Sequence, residues 1–325
     1  MLPMPVDARA PGRKKLTALV SEYGILVALF VEIILFSSLS PFFFTTENIL
    51  NVSLQTSITA IIAAGMTFVI LTAGIDLSVG AMVALSGVIT TSVLKLPLPF
   101  AVSLPAAILA ALVVGAVSGT IAGVFVTRFN ITPFIVTLAL MTIWRGAAYM
   151  YTDGRPIWGL PDAFSTLGSG RVFGVPIPTL IMVAVYVAAY VILNKTRFGR
   201  YIYAVGGNRE AARLAGINTN RMLLSVYVIS GILAALSGLL LASRMNSGQP
   251  GSGLMYELDV IAAVVVGGTS LFGGRGSIIG TFVGAMLIGV LRNGLNLLNV
   301  GSYVQMVVLG VVILLAVMLD QMRRR

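Results

Sequence analysis

Apolar residues in this chain fall into long, nearly unbroken runs separated by short polar or glycine-rich stretches. Ten runs stand out, at about 20–40, 52–73, 77–94, 100–126, 133–151, 176–194, 222–243, 257–272, 278–298 and 303–319. A helix crosses a hydrocarbon core of about 30 Å with roughly 20 apolar residues, and several runs reach that length. The pattern predicts an all-α polytopic membrane protein of about ten transmembrane helices, with residues 1–325 forming a single membrane domain. One long polar interruption, Lys195 to Arg221 (KTRFGRYIYAVGGNREAARLAGINTNR), lies between two spans. It sets Lys195, Arg197, Arg200, Arg209, Arg213 and Arg221 against a single acid, Glu210.

Composition agrees. Apolar residues make up 58% of the chain and charged residues 10%, whereas a soluble domain carries about 25% charged residues. That is too little charge to coat a soluble surface. The 35 glycines suit closely packed membrane helices. With no Cys, thiol chemistry, disulfides and Cys-based metal sites are excluded. With no His, the commonest metal ligand and the usual proton shuttle near neutral pH are missing. No metal, cofactor or catalytic residue is expected.

A formal charge of +10 raises the question of nucleic acid, but its distribution points to membrane topology instead. Arg9, Arg13, Lys14 and Lys15 precede the first run, and Arg323, Arg324 and Arg325 follow the last. Basic flanks stay cytoplasmic, so both ends are expected inside, with 1–19 as a cytoplasmic tail. Ten spans then put Arg128, the 195–221 segment and Arg275 inside as well. The outside loops keep only Lys95, Arg155, Arg171 and Arg244. The first apolar run is too long for the h-region of a signal peptide, and no A-x-A site follows it.

Four polar features carry candidate chemistry. Within 195–221, Asn208 is a plausible N-cap, Glu210 suits the first turn, and Gly216 is a plausible terminator. They predict a helix of about two turns, too short to stand alone in water. The small residues Ala211, Ala212 and Ala215 offer a close-contact face. A docking surface and a plain basic loop both fit. The second feature, Thr72-Ala73-Gly74-Ile75-Asp76-Leu77-Ser78-Val79-Gly80, breaks an apolar stretch. Gly74 can end one helix and Asp76 can cap the next. This is either a broken helix beside a pathway or a tight turn at the cytoplasmic face, where the charge count places it. The third, Gly267 to Gly276, reads as a flexible cytoplasmic connection. The fourth is Arg292, Asn293, Asn296 and Asn299, of which 292, 296 and 299 share a helical face. They form either a stripe along a solute path or interhelical glue. Asp76, Arg292, Asn293 and Asn296 are the candidate pathway residues. Glu32 lies mid-way along the first run with no identifiable partner. Arg145 near the end of the fifth run suits snorkelling, and Glu257 and Asp259 suit capping of the eighth.

No G-x-x-x-x-G-K-[ST], H-E-x-x-H or G-x-S-x-G occurs, so the chain supplies neither a nucleotide-binding loop nor a recognisable catalytic centre. Energy for any transport has to come from elsewhere.

Four strings, AAGMTFVILTAGIDLSVGAMVALSG (63–87), GRYIYAVGGNREAARLAGIN (199–218), YELDVIAAVVVGGTSLFGG (256–274) and NGLNLLNVGSYVQMVVLGVVILLAV (293–317), closely resemble the permease subunit of the ribose-type sugar ABC importers. The resemblance implies a ten-helix permease with inverted repeats in a bacterial inner membrane. It also implies a second permease copy, a periplasmic sugar-binding protein and an ATPase pair docked on cytoplasmic coupling helices. Glu210-Ala211-Ala212 with Gly216 matches the E-A-A-x-x-x-G coupling motif, so the resemblance assigns ATPase coupling to Glu210, Ala211, Ala212, Arg213 and Gly216. The I-x-L-P continuation of that motif is absent. The expected function is monosaccharide import, of ribose or a related sugar. The alternatives are an ion-coupled secondary sugar transporter, disfavoured by the missing His and the single mid-span acid, and a passive channel.

Overall fold

The structure, a computed structural model, describes residues 11–322, with side chains described for 24–315, 317 and 318. The expected basic flanks Arg9 and Arg323 to Arg325 lie outside the described residues. Thirteen helices run in order among those described: α1 (Pro11–Leu39), α2 (Thr46–Leu71), α3 (Val79–Leu94), α4 (Phe100–Arg128), α5 (Pro133–Thr152), α6 (Asp162–Ser169), α7 (Ile177–Lys195), α8 (Arg197–Gly207), α9 (Arg209–Leu214), α10 (Thr219–Met245), α11 (Tyr256–Val266), α12 (Ile278–Leu297) and α13 (Ser302–Met322). A two-residue antiparallel pair, β1 (Arg171–Val172) and β2 (Val175–Pro176), precedes α7.

Each of the ten apolar runs coincides with a helix. Six of those helices (α2, α4, α5, α7, α10 and α12) are long and apolar enough to cross a membrane. Apolar character alone overextended the eighth run. The helix there stops at Val266, and 267–272 is irregular because paired glycines follow while the hydropathy stays high. With 11 residues, α11 covers about 16 Å, half of a bilayer core. The chain ahead of it supplies the rest. Gly248 packs on Thr91 and Gly253 on Gly80 and Val83, so 248–253 descends alongside α3 as irregular backbone inside the protein.

The centre of the bundle is α2 and α10. Ala60 to Leu71 of α2 and Val226, Tyr227, Ala234 and Ala235 of α10 are almost fully buried. Small residues allow this density. Gly115 of α4 and Gly231 of α10 meet backbone to backbone, and Gly119 lies on the Tyr227 carbonyl. A side chain at either contact would push the two helices apart. Hydroxyls satisfy backbone and side-chain groups between helices. Tyr186 donates to the Ala60 carbonyl at 3.0 Å, Ser237 donates to that of Ile58 at 3.0 Å, and the Thr67 and Thr281 hydroxyls pair at 2.8 Å.

The outside is apolar. Phe30, Ile34, Leu109, Ile135, Val187 and Leu314 all point outward with at least half of their surface exposed. Such a surface is stable against lipid and not against water. Opposite the α9 end, the 152–175 segment is anchored rather than loose. Phe164 of α6 is fully buried against Leu94, Leu160, Ala107 and Ala242, and its carbonyl accepts from Ser243 at 2.5 Å.

Candidate functional site

The polar segment 195–221 folds as two short helices. The first, α8, was not evident from the sequence. Thr196 caps it by accepting from Gly199 N–H at 3.2 Å, and Ile202 and Val205 anchor its inner face. The second, α9, has the expected ends. The Asn208 side chain accepts from Ala211 N–H at 3.0 Å. Gly216 takes a left-handed φ of +84°, Ile217 N–H reaches the Ala212 carbonyl, and Gly216 N–H reaches that of Arg213. These paired bonds close the helix as a Schellman motif.

The exposed face of α9 differs from the sequence expectation at one position. Ala212 turns inward, buried against Val205 and Leu223, because it lies on the side of the helix facing the bundle. The outward face is Ala211, Leu214 and Ala215, spaced as one helical stripe. Leu214 is 84% exposed. It was missed in the sequence because it reads there as one more apolar residue, although its spacing from Ala211 was available. Glu210 and Arg213 form an exposed ion pair at 2.8 Å, a type that stabilises a helix by about 0.3–0.5 kcal/mol.

The 72–78 break reaches into the protein. Here α2 ends in a second Schellman motif, with Gly74 N–H on the Val69 carbonyl and Ala73 N–H on that of Ile70. The left-handed residue is Ala73, at φ +60°, and not Gly74 as the sequence suggested. Gly74 is needed for space instead, since a Cβ there would sit 2.6 Å from the Tyr227 hydroxyl oxygen. Gly65 and Asp76 both meet Ser230, so the chain descends through 66–71 and climbs back by 76. Ser230 is 11 residues into α10, about 16 Å from its start. Asp76 is therefore internal, and it is 2% exposed. Its carboxylate accepts from Ser230 Oγ at 2.8 Å, Ser78 Oγ at 2.6 Å and Ser78 N–H at 3.0 Å.

The Gly267–Gly276 connection is packed rather than flexible. Thr269 and Ser270 are buried, and Gly274 N–H donates to the Leu71 carbonyl at 2.9 Å. Tyr203 of α8 donates to the Gly276 carbonyl at 3.0 Å, and burial pushes its phenol above the ordinary range, keeping it a donor.

The α12 cluster finds partners inside the chain. Arg292 binds both oxygens of Asp259 at 2.6 Å. Asn293 exchanges reciprocal bonds with Asn48 of α2 at 2.9 and 3.0 Å. Asn296 accepts from Gln305 of α13 at 2.8 Å. Asp259 thus holds Arg292 rather than capping its own helix. Likewise Arg145 does not snorkel but donates to the Pro250 and Ser252 carbonyls at 3.0 and 2.5 Å, fixing the irregular strand before α11. Nothing local in the sequence marks either pairing. The described residues hold no cluster of His, Cys, Asp or Glu suited to a metal ion.

An apolar-faced helical bundle with irregular, internally satisfied breaks and one exposed short helix at one end is the architecture of a multi-pass membrane protein. The model of the family described as branched-chain amino acid transport system / permease component matches residues 48–317, and the chain belongs to that family. It is 49% identical to the ribose import permease protein RbsC of Escherichia coli (strain K12), over 96% of this chain and 98% of that protein. It is 48% identical to RbsC of Bacillus subtilis (strain 168), over 92% of each. Against the D-allose transport system permease protein AlsC of Escherichia coli (strain K12), the identity is 38% over 93% of this chain and 92% of that protein. These relatives are named as sugar transport permeases. No solved structure matches the chain.

Proposed function

We propose that this chain is the membrane subunit of an ATP-driven importer of a monosaccharide, with ribose the favoured sugar. The observation that carries the reading is the near-full-length identity of 48–49% to ribose import permeases, against 38% to the D-allose permease. In this reading two copies form the pathway with both chain ends in the cytoplasm, and a periplasmic binding protein delivers the sugar. An ATPase subunit docks on the Ala211, Leu214 and Ala215 face of α9. Glu210 and Arg213 border that contact, and Gly216 sets the angle at which α9 leaves for α10. The absence of a nucleotide-binding loop fits an energy source on another chain. ATP binding there favours one arrangement of the spans because it binds that arrangement better.

Asp76, Arg292, Asn293 and Asn296 line or support the pathway. Their internal partners support a role in holding α2, α10, α11, α12 and α13 in register, with Asn296 the most exposed of the four. The test is sugar uptake in proteoliposomes containing the permease, the ATPase and the binding protein. Uptake is expected to require ATP and to persist when the proton gradient is collapsed. Uptake that follows the proton gradient without ATP would favour an ion-coupled carrier.

A further inference from the structure

At Gly206, α8 meets the bundle core backbone to backbone. Gly206 lies directly against the carbonyl oxygen of Leu71, the last residue of α2; a Cβ at 206 would overlap that oxygen and sit 2.6 Å from the Gly274 nitrogen. The same carbonyl accepts the Gly274 N–H at 2.9 Å. Three chain segments therefore meet at one oxygen: the end of α8, the end of α2, and the 267–277 connection between α11 and α12. A second tie runs parallel, from the Tyr203 hydroxyl to the Gly276 carbonyl.

The surroundings suit a moving part. Two residues beyond Leu71, Ala73 holds a left-handed φ of +60°, a conformation that costs a non-glycine residue and persists only where neighbours enforce it. Its Cβ faces Gly273, where an added Cβ would come within 3.0 Å. Three residues further on, Asp76 grips Ser230 of the central helix. Beside the junction lies a cavity of about 470 Å³, lined by Gly74, Asn130, Pro133, Gly206, Asn208 and Leu223 among others. It leaves α8 room on one side while the other side is in hard contact.

We propose that the Gly206–Leu71–Gly274 junction transmits displacement of α8 and α9 to the two broken-helix segments, with Gly206 as the positioning residue. The inference rests on the importer reading above. Its physical basis is stiffness. A backbone-to-backbone contact has no rotamer that can absorb a shift, so a push on α9 reaches the end of α2 and the 267–277 connection together. Packed contacts of this kind switch between arrangements rather than deform. The neighbouring Gly207 is the internal control, because a Cβ there meets nothing within 4 Å.

The experiment compares Gly206→Ala, Gly207→Ala and the native chain, each in the full complex with ATPase and binding protein in proteoliposomes. Sugar uptake and ATP hydrolysis are measured together. For Gly206→Ala, uptake per ATP is expected to fall about tenfold, with complex assembly and basal hydrolysis unchanged. A purely structural role would lower uptake and hydrolysis in step. Gly207→Ala is expected to behave as native. An unchanged ratio in Gly206→Ala, or an equal fall in Gly207→Ala, overturns the proposal. Should Gly206→Ala fail to assemble, Tyr203→Phe decides: a fall of about threefold in the ratio supports the junction, and a native ratio overturns it. Uptake by the native chain that needs no ATP would sink the importer reading itself, and the junction proposal with it.

Discussion

Asp76 and Glu210 are two acids in opposite settings. Asp76 is buried between α2, α3 and α10 and accepts three hydrogen bonds from serines. Glu210 stands at the tip of α9, 70% exposed, with one solvated partner in Arg213. The first is held entirely by its own chain, and removing it leaves buried donors stranded. The second contributes almost nothing to the fold that displays it. A solvated charge on an exposed six-residue helix is free to serve the partner contact proposed above. The contrast separates the part of the molecule that must stay packed from the part proposed to meet a partner.

The contrast is broken most directly at Asp76. Asp76→Ala strands the Ser230 and Ser78 donors in the interior and is expected to cost about 3 kcal/mol, seen as a large drop in the melting temperature of the purified permease. Asp76→Asn keeps an acceptor and should lose less. A native melting curve for Asp76→Ala would remove Asp76 from the packed part. Next in size is Asp259→Asn, which breaks the bidentate hold on Arg292. Because Arg292 is 39% exposed and can rehydrate, the expected loss is about 1–2 kcal/mol. Restoration of stability by Arg292→Met in the same chain would show that the cost is the unpaired cation.

A change in the other direction is expected at Ala73. Ala73→Gly relieves the left-handed backbone and should stabilise the permease by about 0.5–1 kcal/mol, less whatever the extra freedom of glycine in the unfolded chain takes back. A decrease in melting temperature would mean that the alanine methyl group packs usefully against Gly273. The smallest effect on stability belongs to Glu210→Ala, under about 0.5 kcal/mol. Its ATPase affinity should nevertheless fall clearly, measured by co-purification at rising salt. Equal losses of stability and of ATPase binding would erase the distinction between the two acids.

A helix at each of the ten apolar runs was legible from hydropathy alone, and six of these helices are long and apolar enough to cross a membrane. The two ends of α9 were legible because Asn at an N-cap and Gly after the last turn are local chemistry. What escaped was of two kinds. The backbone of 248–253 packs against α3 inside the protein, where hydropathy cannot tell it from a span, and the glycine-rich 267–277 connection was marked by its composition while its packing on Leu71 and α8 was not. The partnerships of Arg145 with 250–252, Arg292 with Asp259 and Asn293 with Asn48 join residues from 33 to 245 positions apart, and no local pattern announces them. The inward turn of Ala212 escaped for a related reason. The motif names the residues of α9, while the face it presents is set by Val205 and Leu223, which lie outside the motif.

The central claim is that the outward face of α9 meets the ATPase subunit. The chain has no cysteine, so Leu214→Cys carries a single thiol at the centre of that face, and Phe173→Cys carries one at the fully exposed hairpin tip beyond the other end of α7. A short thiol-to-amine cross-linker applied to the assembled transporter is expected to join Leu214→Cys to the ATPase and leave Phe173→Cys unlinked to it. An ATPase captured by Phe173→Cys and not by Leu214→Cys would contradict the account.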